Sequence, residues 1–223
     1  GLTFSSGAFA TNGIIPAGNG MVAHGFGGAG LSNAGEAAAG MDNPALISQT
    51  GDAVSVAWTM FMPDRTVDST GAMGAGGTVA KSDSKMFAIP QVALTSKLSD
   101  QMAFGVMAYA MGGMNTDYRT GLAPAAPGGT NGQSVNLQGM IVAPTLSFAI
   151  NKDVSAGASL LVGYTTLTTR NLFGTGAAGT NEGSAVGYGV KLGVDAKVAD
   201  GISVGAMLQP KLNMEEITYF KNF

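Results

Sequence analysis

The chain has 223 residues, of which 35 are Gly; 45% are hydrophobic, 11% are charged, and the formal net charge is −3. Disorder needs high charge with low hydrophobicity, and nucleic-acid wrapping needs a basic face, so neither fits. Collagen is out because the glycines keep no three-residue period, no uninterrupted apolar run of about 18 residues offers a membrane helix, and the lack of Cys removes disulfides, thiolate metal sites and thiol nucleophiles.

Residues 1–50 have a texture of their own, rich in Gly, Ala and Asn. They open without a basic or apolar leader, so an export signal is expected to have been removed already. Gly25-Phe26-Gly27-Gly28-Ala29-Gly30 matches G-x-G-x-x-G. A dinucleotide site would need a βαβ unit and an acidic residue about 20 positions on. Asp42 is roughly placed, but Asn43-Pro44 follows it instead of a strand. The run reads instead as tightly turned backbone packed in a confined space. A short helix is predicted over Ala34–Ala39, with Asn33 as N-cap, Glu36 completing a capping box and Gly40 as the stop.

From residue 53 the chain reads as seven strands: 53–62, 86–96, 101–112, 135–150, 154–168, 184–198 and 202–215. Short connections alternate with long ones at about 63–85, 113–134 and 169–183. Transmembrane barrels show this asymmetry, with short periplasmic turns and long external loops. Within 184–198, Val186, Tyr188, Val190, Leu192, Val194, Ala196 and Val198 alternate with Ala185, Gly187, Gly189, Lys191, Gly193, Asp195 and Lys197. Within 202–215, Ile202 to Met214 alternate with Ser203, Gly205, Met207, Gln209, Lys211, Asn213 and Glu215. Successive strand side chains point to opposite faces, so one face is wholly apolar. Strands 53–62 and 135–150 agree, while 86–96 and 101–112 carry Met, Phe and Ala on both faces.

Length and polarity separate a barrel from a soluble sandwich. Soluble strands average about 5–6 residues, and membrane-spanning ones need about 9–11. The non-apolar face here is mostly Gly, Ser, Thr and Ala, and most charges sit in the long connections. Lys191, Asp195, Lys197, Lys211 and Glu215 are expected to face the lumen, as a polar wall or as cross-strand pairs. His24 is the only histidine, no Gly-x-Ser-x-Gly elbow occurs, and no Asp-x-Asp-x-Asp run appears. No catalytic residue, metal or cofactor is therefore expected. A barrel-embedded lipase would need His24, which reads as structural.

Gly25–Ser48, GFGGAGLSNAGEAAAGMDNPALIS, resembles the N-terminal hatch of the long-chain fatty-acid outer-membrane transporter (FadL/TodX) family, with its Gly-rich run, short Ala-rich helix and Asn-Pro-Ala motif at Asn43, Pro44 and Ala45. Ala10-Thr11-Asn12-Gly13 is similar to the family's stretch that reaches into the binding pocket, and Val204–Lys211 to one of its strands. The resemblance implies an all-β, antiparallel barrel of about 14 strands, of which residues 51–223 supply about half and residues 1–50 the hatch. It implies passive diffusion of a fatty acid or aromatic hydrocarbon from outside, gated by the hatch, and sideways exit into lipid of a Gram-negative outer membrane. Gly25, Gly27, Gly28, Gly30, Asn43, Pro44 and Ala45 would shape the gate. Phe4, Phe9, Ile14, Ile15 and Phe26 would give apolar contacts to the ligand. Membrane lipid and a hydrophobic small molecule are the expected partners, and nucleic acid is not.

Seven strands cannot close alone, because an open edge cannot face lipid. The chain is part of a longer protein, or several copies share one barrel, or the sheet self-associates through its edges. The last is the alternative reading, a structural β-assembly without transport.

Overall fold

The computed structural model describes residues 11, 12, 15, 16, 18–68, 79–118, 132–170 and 180–218. Its main body is one antiparallel sheet in chain order: β1 Ala53–Phe61, β2 Phe87–Lys97, β3 Met102–Tyr118, β4 Gln133–Ala149, β5 Val154–Arg170, β6 Thr180–Ala199 and β7 Ile202–Leu208. This is a half-barrel of seven strands. β3 to β5 run 17 residues each and β6 runs 20, past their predicted ends on the long-loop side. At that end Arg170 Nη2 meets Asp117 Oδ1 at 2.5 Å. The first long connection carries a small hairpin, Thr66–Asp68 with Val79–Lys81.

The alternation becomes an inside-out pattern of burial. On β6, Leu192 is 48% exposed and Val194 51%, while Lys191 and Asp195 between them are 4% and 3% exposed. Val54, Val56 and Trp58 on β1 are likewise exposed. Such an outer face would precipitate a soluble domain. Among the described residues, no helix is long and apolar enough to cross a membrane.

Residues 18–50 pack on the opposite, inner face. They form α1 Gly20–Gly25, α2 Ala39–Asp42, a 3-10 turn Pro44–Leu46 and α3 Ile47–Thr50. Ala37, Ala38, Met41 and Ile47 join Met107, Tyr109, Ile141 and Leu161 of the wall in one buried cluster. The predicted helix over 34–39 is not formed, because its capping groups serve other donors. Asn33 Oδ1 accepts from Gly35 N at 3.1 Å, closing a local turn. Glu36 Oε1 accepts from Val22 N at 2.8 Å, so it caps α1 instead.

The predicted strand 202–215 also fails in its second half. Pairing of β6 runs Leu192↔Leu208 and then resumes at Tyr188↔Asn213 and Gly187↔Met214. One extra residue is therefore inserted around Pro210, whose ring cannot donate to a ladder. An insertion of one flips every later side chain to the other face. Leu212 and Met214 consequently turn inward over Gly163, Gly187 and Gly189. Lys211 and Glu215, expected in the lumen, lie on the outer side. Lys211 lines an outward depression of about 300 Å³ with Leu160, Tyr188, Val190, Pro210 and Asn213. Glu215 continues the shifted register, its N–H bonding Val186 O at 2.8 Å.

Candidate functional site

The Asn43-Pro44-Ala45 turn is seated in a glycine trough. Asn43 takes the extended conformation expected before proline, φ −140° and ψ 112°. Its carboxamide then makes three hydrogen bonds: Oδ1 accepts from Ala45 N at 3.0 Å, and Nδ2 donates to Leu31 O at 2.7 Å and to Val194 O of β6 at 3.0 Å. Gly157 and Gly193 are paired across β5 and β6. A Cβ on Gly157 would run into the Pro44 carbonyl, and one on Gly193 into the Asn43 side chain. Gly157 is glycine because the backbone of the turn approaches it, and Gly193 because the Asn43 and Pro44 side chains fill the space a Cβ would take. Ser147 on β4 completes the row, its hydroxyl donating to Ala45 O at 2.8 Å.

Beside the trough, Asp195 is the polar anchor. It accepts from the Ser32 hydroxyl and, at 2.9 Å, from Gln49 Nε2, which also reaches Ser155 Oγ at 3.0 Å. Lys191, four residues along β6, donates from Nζ to Met41 O at the end of α2 and to Tyr109 Oη at 3.2 Å. Lys197 shares their face but lies exposed at the turn, bonded to Asp200 Oδ1 at 2.8 Å. Asp42 accepts from Asn19, whose Nδ2 donates to Oδ1 at 2.8 Å, and it lies within electrostatic reach of Lys191 and Tyr109 of the wall; burial holds its carboxyl above the ordinary range.

Toward the long-loop end the inner face is apolar. Met107, Tyr109 and Met111 of β3, Ile141 of β4, Leu161 of β5 and the inturned Leu212 line this layer above Met41. The wall beside it is interrupted. The β2–β3 ladder runs from Lys97↔Ala103 to Val92↔Ala108 and stops. Pro90, two residues further along β2, has no N–H to offer, and β3 bulges between Ala110 and Gly112. Beyond the stop, the strands' extensions meet where the Arg65 guanidinium donates to Asn115 O and to Ser84 O, where Asp83 N donates to Asp117 O at 2.7 Å and where Asp117 N donates to Ser82 Oγ at 3.1 Å. The result is a window between β2 and β3, with the apolar layer next to it.

The remaining predicted residues are less central. Gly25 ends α1; Gly27 and Gly28 adopt positive φ of 68° and 93° in the turn that follows; Gly30 lies against the Asp42 carboxylate. Ile15 and Phe26 are exposed and do not join the apolar layer. Phe4, Phe9 and Ile14 lie outside the described residues. His24 Nδ1 donates to Gly20 O at 2.8 Å within its own helix. Among the described residues, no group of three or more His, Asp or Glu is placed to hold a metal. The sequence reading missed Ser147, Gln49, Tyr109 and Gln91. A polar residue within an otherwise apolar run, such as Gln91, was the available signal.

The chain matches, over residues 3–219, the family described as Outer membrane protein transport protein (OMPP1/FadL/TodX). Among solved structures, the P. putida toluene transporter TodX superposes with a TM-score of 0.69 at 20% identity, over 89% of this chain and 56% of that one. The Ralstonia pickettii toluene transporter TbuX gives 0.69 at 20% identity, over 90% and 59%. A Pseudomonas aeruginosa FadL homologue gives 0.59 at 16% identity, over 83% and 49%. At these identities the likeness is one of fold, and the chain spans about half the length of those structures. No curated protein gives a match.

Proposed function

We propose, from the premise that the chain belongs to the OMPP1/FadL/TodX family of outer membrane transport proteins, that it passes small hydrophobic compounds across a Gram-negative outer membrane by gated passive diffusion. The family is one of transporters and not of enzymes. Residues 1–50 act as the hatch and residues 51–223 as wall. The outer apolar face lies in lipid, and the remainder of the barrel closes the sheet.

The step is physically simple. A hydrophobic solute entering at the long-loop end gains about 25 cal/mol for each Å² of apolar surface it buries. The layer of Met107, Met111, Ile141, Leu161 and Leu212 offers that burial without committing the solute to tight binding. Release follows sideways, through the window between β2 and β3, into hydrocarbon. The observation that carries this reading is the adjacency of the two: the ladder stops at Val92↔Ala108, one residue short of Tyr109 in the layer itself.

The test is flux into proteoliposomes holding the full-length protein. Influx of toluene and of a long-chain fatty acid is expected to exceed that of protein-free vesicles clearly, while a hydrophilic dye of similar size stays out. Equal influx with and without protein overturns the reading.

A further inference from the structure

Two irregularities of the wall send side chains to one place. β3 inserts Met111 between Ala110↔Met140 and Gly112↔Gly139. The shift at Pro210 turns Leu212 and Met214 inward. All three side chains lie over glycine. A Cβ on Gly139 of β4 would stand 2.8 Å from Met111 Cε. One on Gly163 of β5 would stand 2.8 Å from Leu212 Cδ2, 3.5 Å from Met214 Sδ and 3.6 Å from Met111 Sδ. Gly163 is therefore covered by the far ends of three side chains and not by backbone. Two of the three are unbranched thioethers, which change rotamer readily.

The floor beneath them is shallow. Gly139 pairs with Thr165, Gly163 with Gly187, and Thr165 with Ala185. Three strands without a large side chain span about 10 Å at the usual strand spacing, the size of one substituted ring. A flat molecule laid there keeps van der Waals contact over its whole face.

One polar group stands in this floor. Thr165 is 8% exposed, on the same face as Gly163, and its Oγ1 is buried with no hydrogen-bond partner among the described residues. Buried hydroxyls are rarely left so. Met111, Leu212 and Met214 bring no charge to it. An ionised group placed there would be desolvated without a counter-charge. A neutral hydroxyl or carbonyl is the matching chemistry, because a threonine hydroxyl both donates and accepts.

We propose that Gly139, Gly163 and Thr165 floor a binding bay, lidded by Met111, Leu212 and Met214, for flat ring compounds that carry one neutral hydrogen-bonding group. This deepens the transport reading and rests on it, by naming a substrate class: uncharged phenol-like or ketone-like rings. The solute displaces the lid toward the lumen, lies on the glycine floor and pairs with Thr165 Oγ1.

The experiment is equilibrium dialysis of the full-length protein in detergent against p-cresol and p-xylene, which differ by a hydroxyl in place of a methyl. Each variant is compared with wild type on the same probe, so partition into micelles cancels. Thr165→Val, of the same shape, is expected to weaken p-cresol binding about fivefold, the size of one neutral hydrogen bond, and to leave p-xylene unchanged. Gly163→Ala is expected to weaken both probes, because its methyl takes the floor space; only side-chain ends need give way for it to fold. Unchanged p-cresol affinity in Thr165→Val, as when a water already holds the hydroxyl, overturns the bay. So does wild-type affinity for both probes in Gly163→Ala. If either happens while toluene influx into proteoliposomes persists, the transport reading stands without the bay. If influx is absent as well, both fall.

Discussion

Gly157→Val is expected to drive the hatch out of its seat. The new Cβ meets the Pro44 carbonyl and lies 2.7 Å from Ala45 N, all backbone atoms that cannot swing aside. The turn cannot retreat cheaply either. It is held by Asn43 Nδ2 on Leu31 O at 2.7 Å and Val194 O at 3.0 Å, and by Ser147 Oγ on Ala45 O at 2.8 Å. Overpacking costs about 1–3 kcal/mol, and each buried hydrogen bond broken adds about 1–3 kcal/mol. The strain falls on the hatch and not on β5, which is laddered to β4 and β6 along its length. Planar-bilayer conductance should therefore rise sharply and a hydrophilic dye should leak through a barrel that still folds. Ala158→Val, one residue along and on the exposed face, is the control and should leave conductance unchanged. A tight, non-conducting Gly157→Val barrel would mean that the trough does not hold the hatch.

Leu192→Arg addresses the other face of the same wall. Leu192 is 48% exposed and sits between Ala158 of β5 and Leu208 of β7. At an exposed site of a soluble protein such a change costs within about 0.5 kcal/mol. With lipid on that face it costs about 2–4 kcal/mol near mid-membrane. Urea unfolding in phospholipid vesicles separates the two outcomes, and a loss under about 0.5 kcal/mol would place that face outside lipid.

Both faces of β6 were legible because a period of two needs no knowledge of neighbours: Val186 to Val194 against Ala185 to Asp195 predicts the observed burial, which lapses at Lys197 where the strand reaches the turn. The Asn-Pro-Ala turn was legible for a similar reason, since pre-proline geometry and a side-chain cap are local. What could not be read was set by distant partners. Gly157 and Gly193 stand 36 positions apart and become one trough only through cross-strand pairing. Glu36, placed for a capping box, serves Val22 of another helix because α1 lies beside it in space. The flip of Lys211 and Glu215 had a local cue in Pro210, but alternation carried past it reads as an unbroken strand; the inserted residue shows only when β6 is laid alongside. The window between β2 and β3 is of the same kind, since Pro90 marks a weak point and only the pairing shows where the ladder stops.

The hatch as gate is tested most directly by locking it. Ser32 and Asp195 touch through a side-chain hydrogen bond between the N-terminal segment and β6, so Ser32→Cys with Asp195→Cys in this cysteine-free chain should close into a disulfide under mild oxidation. Influx of palmitate and toluene into proteoliposomes should then fall to the protein-free level and return on reduction. Equal influx in the oxidised and reduced forms, with the cross-link verified by mass, would contradict gating by residues 1–50.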